Sequence, residues 1–142
     1  ETTVSEANKA LDIAISDDEK AGAHYWRGVG FYRLGDLEKA EADEDFAIQL
    51  APNFAGPYVT LSAVYWAKGM KKESEAMAHK SIEVDPTYAW GYNSLGVIYL
   101  QQGNFKEGIE LLKKAIEIDP NQPMFANNLR MAEEEVRKVE NK

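Results

Sequence analysis

The stretch that decides the fold is residues 89–122, AWGYNSLGVIYLQQGNFKEGIELLKKAIEIDPNQ, because the chain contains two earlier versions of it. Moving it back by its own length aligns it with residues 55–88, and a second shift aligns it with residues 21–54. The positions that keep this spacing are Gly35, Gly69 and Gly103, Pro52, Pro86 and Pro120, and Phe31, Tyr65 and Tyr99. Self-similarity at a fixed period indicates a protein built from stacked structural repeats.

Each repeat contains two helical segments joined by a short polar turn. In residues 89–122 the turn is Gln102-Gly103-Asn104, and Asp119-Pro120 closes the second segment. Apolar residues recur at steps of three and four in both segments, which predicts two amphipathic helices that face each other. Small residues occupy the places where the helices must come closest, and they are Gly96, Gly108 and Ala115 here, Ser62, Ser74 and Ser81 one repeat earlier, and Gly28, Ala40 and Ala47 in the first repeat.

The third repeat resembles the tetratricopeptide repeat family, whose signature is W-x2-L-G-x2-Y followed by A-x3-F and P within 34 residues. The residues that carry the resemblance are Tyr92, Leu95, Gly96, Tyr99, Leu112, Ala115 and Pro120. The resemblance implies an all-α fold, a superhelix of helix-turn-helix units known as an α-solenoid. It divides the chain into an N-terminal helix (1–20, a partial repeat or cap), three full repeats (21–54, 55–88 and 89–122) and a C-terminal capping helix (123–142).

The first repeat departs from the family pattern at two positions that normally carry large apolar residues. Arg27 stands where leucine belongs, and Glu44 stands where another large apolar side chain belongs. In the family these positions are buried and face each other. Because an unpaired buried charge costs several kcal/mol, we expect Arg27 and Glu44 to form an ion pair. The alternative is that the helices of this repeat shift enough for each charge to reach water.

The two ends of the chain have different patterns. Residues 1–17 predict a single helix, in which Ala7, Leu11 and Ala14 have the spacing of a repeat's second helix. This helix would lack its first-helix partner if the chain were cut from a longer array, and a native N-terminal cap is the alternative. At the other end, Pro123 suits the first turn of a helix that has one apolar stripe and a charged remainder, as a terminal cap requires.

The composition argues against several classes of function. The chain has 142 residues, no cysteine and a net charge of −8, and most of the negative charge lies in the first repeat and the residues before it. A surface of this sign repels phosphate backbones, so we expect no nucleic-acid partner. No apolar run approaches the length of a membrane span, so we expect no direct membrane insertion. The compartment is left open, with the cytoplasm slightly favoured over the periplasm or an organelle.

No set of residues suggests catalysis or a bound ion. His24 and His79 lie in different repeats, with no cysteine or second histidine at ligand spacing. The acidic run Glu41–Asp45 lacks the ligand spacing and the turn glycine of a calcium loop. We therefore expect a protein that is not an enzyme and has neither a metal nor a cofactor.

After the core faces are assigned, the first helix of each repeat keeps a second set of apolar or aromatic residues. The family resemblance implies that this face lines a concave groove in which extended peptides or partner helices bind. Aromatic rings in such a groove supply a large contact area. The candidate partner-binding residues are Tyr25, Val29, Tyr32, Arg33, Val59, Ala63, Trp66, Trp90, Asn93, Val97, Asn127 and Asn128, and Leu100, Met124 and Met131 share their face. For any single ring, Trp90 especially, the alternative is packing between adjacent repeats.

The same face argues against one kind of ligand. Chaperone-binding members of the family hold a terminal carboxylate with Lys, Asn and Arg side chains, but the corresponding residues here are Tyr25, Val29, Thr60, Trp90 and Ser94. The sequence therefore predicts a scaffold or adaptor that binds an apolar or aromatic protein segment without a carboxylate clamp. Two alternatives stay open: a homo-oligomer assembled through the N-terminal helix, and a targeting segment of a larger protein.

Overall fold

The computed structural model describes residues 2–13 and 16–142, and the regular secondary structure of these residues is entirely helical. The helices are α1 (Thr2–Ile13), α2 (Asp17–Leu34), α3 (Leu37–Leu50), α4 (Ala55–Ala67), α5 (Lys71–Val84), α6 (Ala89–Gln101), α7 (Phe105–Ile118) and α8 (Pro123–Glu140). Their order, with three helix pairs between a first and a last helix, confirms the predicted all-α solenoid class. They form two compact units: unit 1 is residues 1–85, with α1 to α5, and unit 2 is residues 86–142, with α6 to α8.

The two helices of each pair are joined by a turn in which glycine adopts the left-handed backbone. The φ angle is 82° at Gly35, 78° at Gly69 and 84° at Gly103. Other residues avoid this region because their Cβ atom clashes with the backbone. The residue after each glycine donates its N–H to a carbonyl in the last turn of the preceding helix, at 2.8 to 2.9 Å. This closure explains why glycine recurs at the same place in every repeat.

In unit 1, α2 packs against α1, α3 and α4, and α4 also packs against α3 and α5. Small residues bring α4 and α5 close together, and their hydroxyl groups are paired. The Ser62 Oγ donates to the Ser74 carbonyl at 2.8 Å, and the Ser74 Oγ donates to the Ser62 carbonyl at 2.7 Å. These reciprocal bonds allow two buried polar side chains at the closest point of the pair.

In unit 2, each of the helices α6, α7 and α8 packs against the other two. Phe125 of α8 is fully buried beside Ala89 and Ala115, so α8 contributes the largest fully buried side chain of this cluster. Trp90 meets the Phe125 ring edge-on, with 4.8 Å between the ring centroids. The apolar stripe of α8 therefore covers the third helix pair, as expected for a cap.

The single helix predicted over residues 1–17 is wrong at its C-terminal end. The described helix α1 ends at Ile13, Ala14 lies outside the described residues, and Asp17 already belongs to α2. Ser16 and Glu19 form a capping box: the Glu19 N–H donates to the Ser16 Oγ at 3.1 Å, and the Ser16 N–H donates to a Glu19 carboxylate oxygen at 2.9 Å. These bonds satisfy N–H groups at the start of a helix, so α2 begins before residue 21.

Candidate partner-binding surfaces

A polar cluster links α2 to α3, and it differs from the ion pair expected from the sequence. The Arg27 guanidinium donates two hydrogen bonds to the Asp43 carboxylate, at 2.7 and 2.6 Å. The His24 Nδ1 lies 2.9 Å from the same carboxylate. Hydrogen bonding to Asp43 raises the pKa of Arg27. The predicted Arg27–Glu44 pair is wrong, because Asp43 lies about 100° away from Glu44 around α3 and meets the guanidinium instead.

Glu44 is instead a buried side chain without a charged partner. It is 0% exposed, and neither carboxyl oxygen has a hydrogen-bond partner in the described part of the chain. Gly28 makes room for it, since a Cβ atom at residue 28 would lie 2.5 Å from the Glu44 Oε1. Burial, reinforced by the negative charge of Asp43, raises the pKa of Glu44 to about 10. Glu44 is therefore a neutral carboxylic acid at pH 7.

The predicted partner-binding residues of unit 1 lie on α2 and α4, and they differ in how far they are exposed to solvent. Tyr25 packs against Phe54, with 5.0 Å between the ring centroids, and its ring also lies against Gly56. Trp66 is half-buried, and the Lys71 Nζ lies over its ring at 5.5 Å from the centroid. Val29, Val59 and Ala63 are half-buried, whereas Tyr32 and Arg33 are exposed. Tyr25 thus contributes to the contact between α2 and α4.

In unit 2, residues of α6, α7 and α8 line a groove with a volume of about 340 Å³, called here the unit-2 groove. Its lining residues are Val97, Leu100, Gln101, Phe105, Asn128, Met131, Ala132 and Glu135. Met131 is 53% exposed, so the apolar surface of this groove is open to solvent. Two of the predicted partner-binding residues, Val97 and Asn128, belong to it.

The other predicted residues of unit 2 lie near this groove but do not line it. The Asn128 Nδ2 donates to the Oδ1 of the buried Asn93 at 2.9 Å, which fixes the orientation of the Asn128 amide. Asn127 is exposed and accepts a hydrogen bond from the Arg130 guanidinium at 2.8 Å. Trp90 packs on the core of the unit through its contact with Phe125.

A second groove lies between α1 and α2 in unit 1, has a volume of about 430 Å³ and is called here the α1–α2 groove. It is lined by Thr3, Glu6, Ala7, Ala10, Glu19, Ala23, Trp26 and Arg33. Of these residues, Arg33 alone was a predicted site residue. Trp26, which is 55% exposed, was missed, although Thr60 and Ser94 are polar at the corresponding positions of the later repeats. The sequence did contain a signal, because a large aromatic residue stands at a position where the other two repeats have small polar residues.

Two other features are absent from residues 2–13 and 16–142. No cluster of three or more Asp, Glu, His or Cys side chains there is arranged to hold a metal ion. No helix in this part of the chain has both the length and the apolar composition needed to cross a membrane.

Helix pairs closed by left-handed glycine turns, followed by a capping helix, define a class of α-helical repeat proteins. One tetratricopeptide repeat family model matches residues 89–122, and a second matches residues 4–53. The two matched ranges together cover more than half of the chain. The chain belongs to the tetratricopeptide repeat family.

Solved structures share this fold at low sequence identity. The first tetratricopeptide domain of Spaghetti (RPAP3), bound to the HSP90 peptide SRMEEVD, has a TM-score of 0.73 at 16% identity and covers 86% of this chain and 97% of its own. The Sgt2 domain from Aspergillus fumigatus has a TM-score of 0.76 at 19% identity, covering 86% and 82% respectively. A Thermobaculum terrenum O-GlcNAc transferase mutant has a TM-score of 0.75 at 21% identity, covering 84% of this chain and 23% of the transferase. Among curated protein sequences, none is significantly similar.

Proposed function

We propose that this chain is a non-enzymatic protein-interaction scaffold that binds an apolar or aromatic segment of a partner protein. The observation that carries the proposal is the unit-2 groove, in which apolar side chains of α6 and α8 are open to solvent. A groove lined mainly by apolar side chains, with a few polar groups among them, is the usual form of a binding site. Burial of this surface supplies the driving force for binding.

The unit-2 groove offers two kinds of contact to a ligand. Val97, Leu100 and Met131 provide an apolar wall, and the flexible thioether of Met131 adapts to side chains of different shape. Because the Asn128 Nδ2 is bonded to Asn93, the Asn128 Oδ1 is the atom left to accept a backbone N–H of the ligand. The apolar wall supplies affinity and the asparagine sets the orientation of the segment.

The proposed ligand differs from a peptide whose terminal carboxylate is clamped by cations. The residues at the clamp positions, Tyr25, Val29, Thr60, Trp90 and Ser94, carry no positive charge. A carboxylate placed there would lose water without gaining a charged partner. The HSP90 peptide bound by Spaghetti has such an acidic end, and we expect it not to bind this chain.

Self-assembly through the N-terminal helix is the second candidate, and the contacts of α1 favour it less. Val4 packs against Gly30, where an added Cβ atom would lie 2.8 Å from the Val4 Cγ2. The Arg27 guanidinium donates to the Asn8 Oδ1 at 2.9 Å. A helix used to join two copies would have to keep or replace these contacts with its own chain. A role as the targeting segment of a larger protein stays a prediction that the full-length sequence would test.

The proposal is tested by two methionines of α8 that are matched in exposure. Met131 lines the unit-2 groove and is 53% exposed, whereas Met124 does not line it and is 50% exposed. Short peptides rich in Leu, Met, Phe or Trp, selected on an array, are expected to bind the chain. Met131→Ala is expected to weaken their binding about tenfold, since it removes a large part of the apolar wall. Met124→Ala is expected to leave the affinity unchanged.

Two further results would contradict the proposal. One is an equal loss of affinity in both methionine variants, which would place the peptide elsewhere. The other is binding of SRMEEVD as tight as that of the selected apolar peptides, because it would require a clamp that the residues do not form. Fluorescence anisotropy with labelled peptides measures all of these affinities on the intact chain.

A further inference from the structure

The helices α6 and α8 run in the same direction along the unit-2 groove. The Asn128 amide is bonded to Asn93 at 2.9 Å, and the Phe125 ring lies 4.8 Å from the Trp90 ring between centroids. In both pairs the residue of α8 follows its partner in α6 by 35 positions. A constant offset of this kind means that residues near the end of α6 lie beside residues in the second half of α8.

The two ends of the unit-2 groove differ in charge. Asn128 lies at the end nearer the start of α8, and its side chain is neutral. About two turns further along α8 the lining reaches Glu135, and Gln101 of α6 lines the same end. Among the described residues that line this groove, Glu135 is the one with a charge. This end therefore offers carboxylate and amide oxygens that accept hydrogen bonds from a cationic side chain.

Glu135 is paired with a lysine of its own helix, but the pair is open to water. The Lys138 Nζ donates to the Glu135 Oε1 at 2.7 Å. The side chains are 56% exposed for Glu135 and 67% exposed for Lys138. Exposed ion pairs of this kind contribute little free energy. A cation that a bound segment places inside the groove is better shielded from water, so it competes with Lys138 for the carboxylate.

The distance from the apolar wall to Glu135 suits an extended chain. Met131 and Glu135 are four residues apart on α8, which is about 6 Å at 1.5 Å per residue. Side chains on one face of an extended chain are two residues apart, or about 7 Å. A segment that runs along α8 therefore places an apolar side chain on Met131 and the next side chain of the same face at Glu135.

We propose that the unit-2 groove selects an extended segment in which an apolar or aromatic residue and a basic residue are two positions apart, with Glu135 as the residue that binds the basic side chain. This inference rests on the proposed function and adds a charge requirement to it. Arginine suits the site better than lysine, because its guanidinium has enough N–H donors for the Glu135 carboxylate and the Gln101 carbonyl oxygen together. An acidic side chain at the same place is repelled.

Four labelled peptides with amidated C-termini test the charge and the spacing. The basic probe is GSLSFSRSG, in which arginine stands two positions after phenylalanine. The neutral and acidic probes replace this arginine with glutamine and with glutamate. The register probe, GSLSFRSSG, has the same composition as the basic probe but puts arginine next to phenylalanine. The basic probe is expected to bind the intact chain about fivefold more tightly than the neutral and register probes, with the acidic probe weakest, as measured by fluorescence anisotropy.

Two adjacent glutamates of α8 provide a matched pair of variants. Glu135→Gln removes the charge that lines the groove and is expected to abolish the preference for the basic probe over the neutral probe. Glu134 does not line the groove and accepts a hydrogen bond from Arg130 at 2.7 Å. Glu134→Gln makes the same change of charge and is expected to keep most of the preference. Added salt is expected to reduce the preference of the natural chain and to have no effect on that of Glu135→Gln.

Several outcomes would overturn this inference and leave the proposed function intact. One is equal binding of the basic, neutral and acidic probes, when Met131→Ala weakens all three and Met124→Ala does not. Another is a preference for the basic probe that is as strong in Glu135→Gln as in the natural chain, since the basic residue would then lie elsewhere. Equal binding of the basic and register probes would show that the spacing is wrong. If neither these probes nor the apolar peptides selected on the array bind, the proposed function fails together with this inference.

Discussion

The first and the third helix pairs place chemically different residues in the same buried position. In α6 and α7, Leu112 is fully buried against Gly96, and a Cβ atom at residue 96 would lie 3.2 Å from the Leu112 Cγ. In α2 and α3, Glu44 is equally buried against Gly28. The comparison shows that the contact requires a glycine opposite a side chain of this size. Glu44 has a suitable size for this position, but it is buried there as the protonated, neutral acid.

Replacing Glu44 with the residue of the third repeat is expected to have the largest effect on stability. The pKa of Glu44 is raised from 4.5 to about 10 in the folded chain, so the free energy of unfolding falls as the pH rises through this range. At pH 7 the unfolded chain gains from ionising this group. Glu44→Leu is therefore expected to stabilise the chain by about 3 kcal/mol at pH 7, measured by chemical denaturation.

The pH dependence separates the charge of Glu44 from its size. The advantage of Glu44→Leu over the natural chain is expected to grow between pH 5 and pH 9, since it reflects the protonation of Glu44. Glu44→Gln is the matched control, because it keeps the size and cannot ionise, so its stability relative to Glu44→Leu is expected not to vary with pH. A difference between Glu44→Leu and the natural chain that is constant over this range would show that Glu44 is not held neutral.

The next effect concerns Asp43, whose side chain is 5% exposed and which joins Arg27 to His24. Asp43→Asn removes the charge that faces the guanidinium, and the Arg27 side chain is 25% exposed, so water replaces only part of the interaction. The expected loss is about 2 kcal/mol in the free energy of unfolding at pH 7. Asp45→Asn, at an exposed position of the same helix, is expected to cost much less. Equal losses would mean that the Arg27–Asp43 pair contributes little to stability.

The fold was predictable where the signals are local. The turns at Gly35, Gly69 and Gly103 follow from the backbone that only glycine adopts easily, and this requirement is visible in the sequence as a spacing. The start of α2 is also encoded locally, by the S-x-x-E pattern of Ser16 and Glu19. This start was not predicted, because the spacing of Ala7, Leu11 and Ala14 favoured one helix over residues 1–17.

The partner of Arg27 could not be read from the sequence. Adjacent acidic residues on α3 point in directions about 100° apart, and the rotation of α3 relative to α2 decides whether Asp43 or Glu44 meets Arg27. The repeat pattern assigns position 44 to the core but does not specify which neighbour a charge there would reach. Tertiary packing determined the outcome.

The candidate surfaces were predictable in part. The family resemblance implied a binding face that includes Val97 and Asn128, and both line the unit-2 groove. Phe105, which was not among the predicted site residues, also lines this groove from the start of α7. The α1–α2 groove depends on how α1 docks against Gly30, and no spacing in the sequence reports that contact.

Amide hydrogen exchange would show directly whether a partner segment binds in the unit-2 groove. The intact chain would be compared with and without an apolar peptide selected on the array. Binding in this groove is expected to slow exchange in the parts of α6 and α8 that line it, around Val97 and Met131. Protection confined to α3 and α5, with α6 and α8 unchanged, would contradict it.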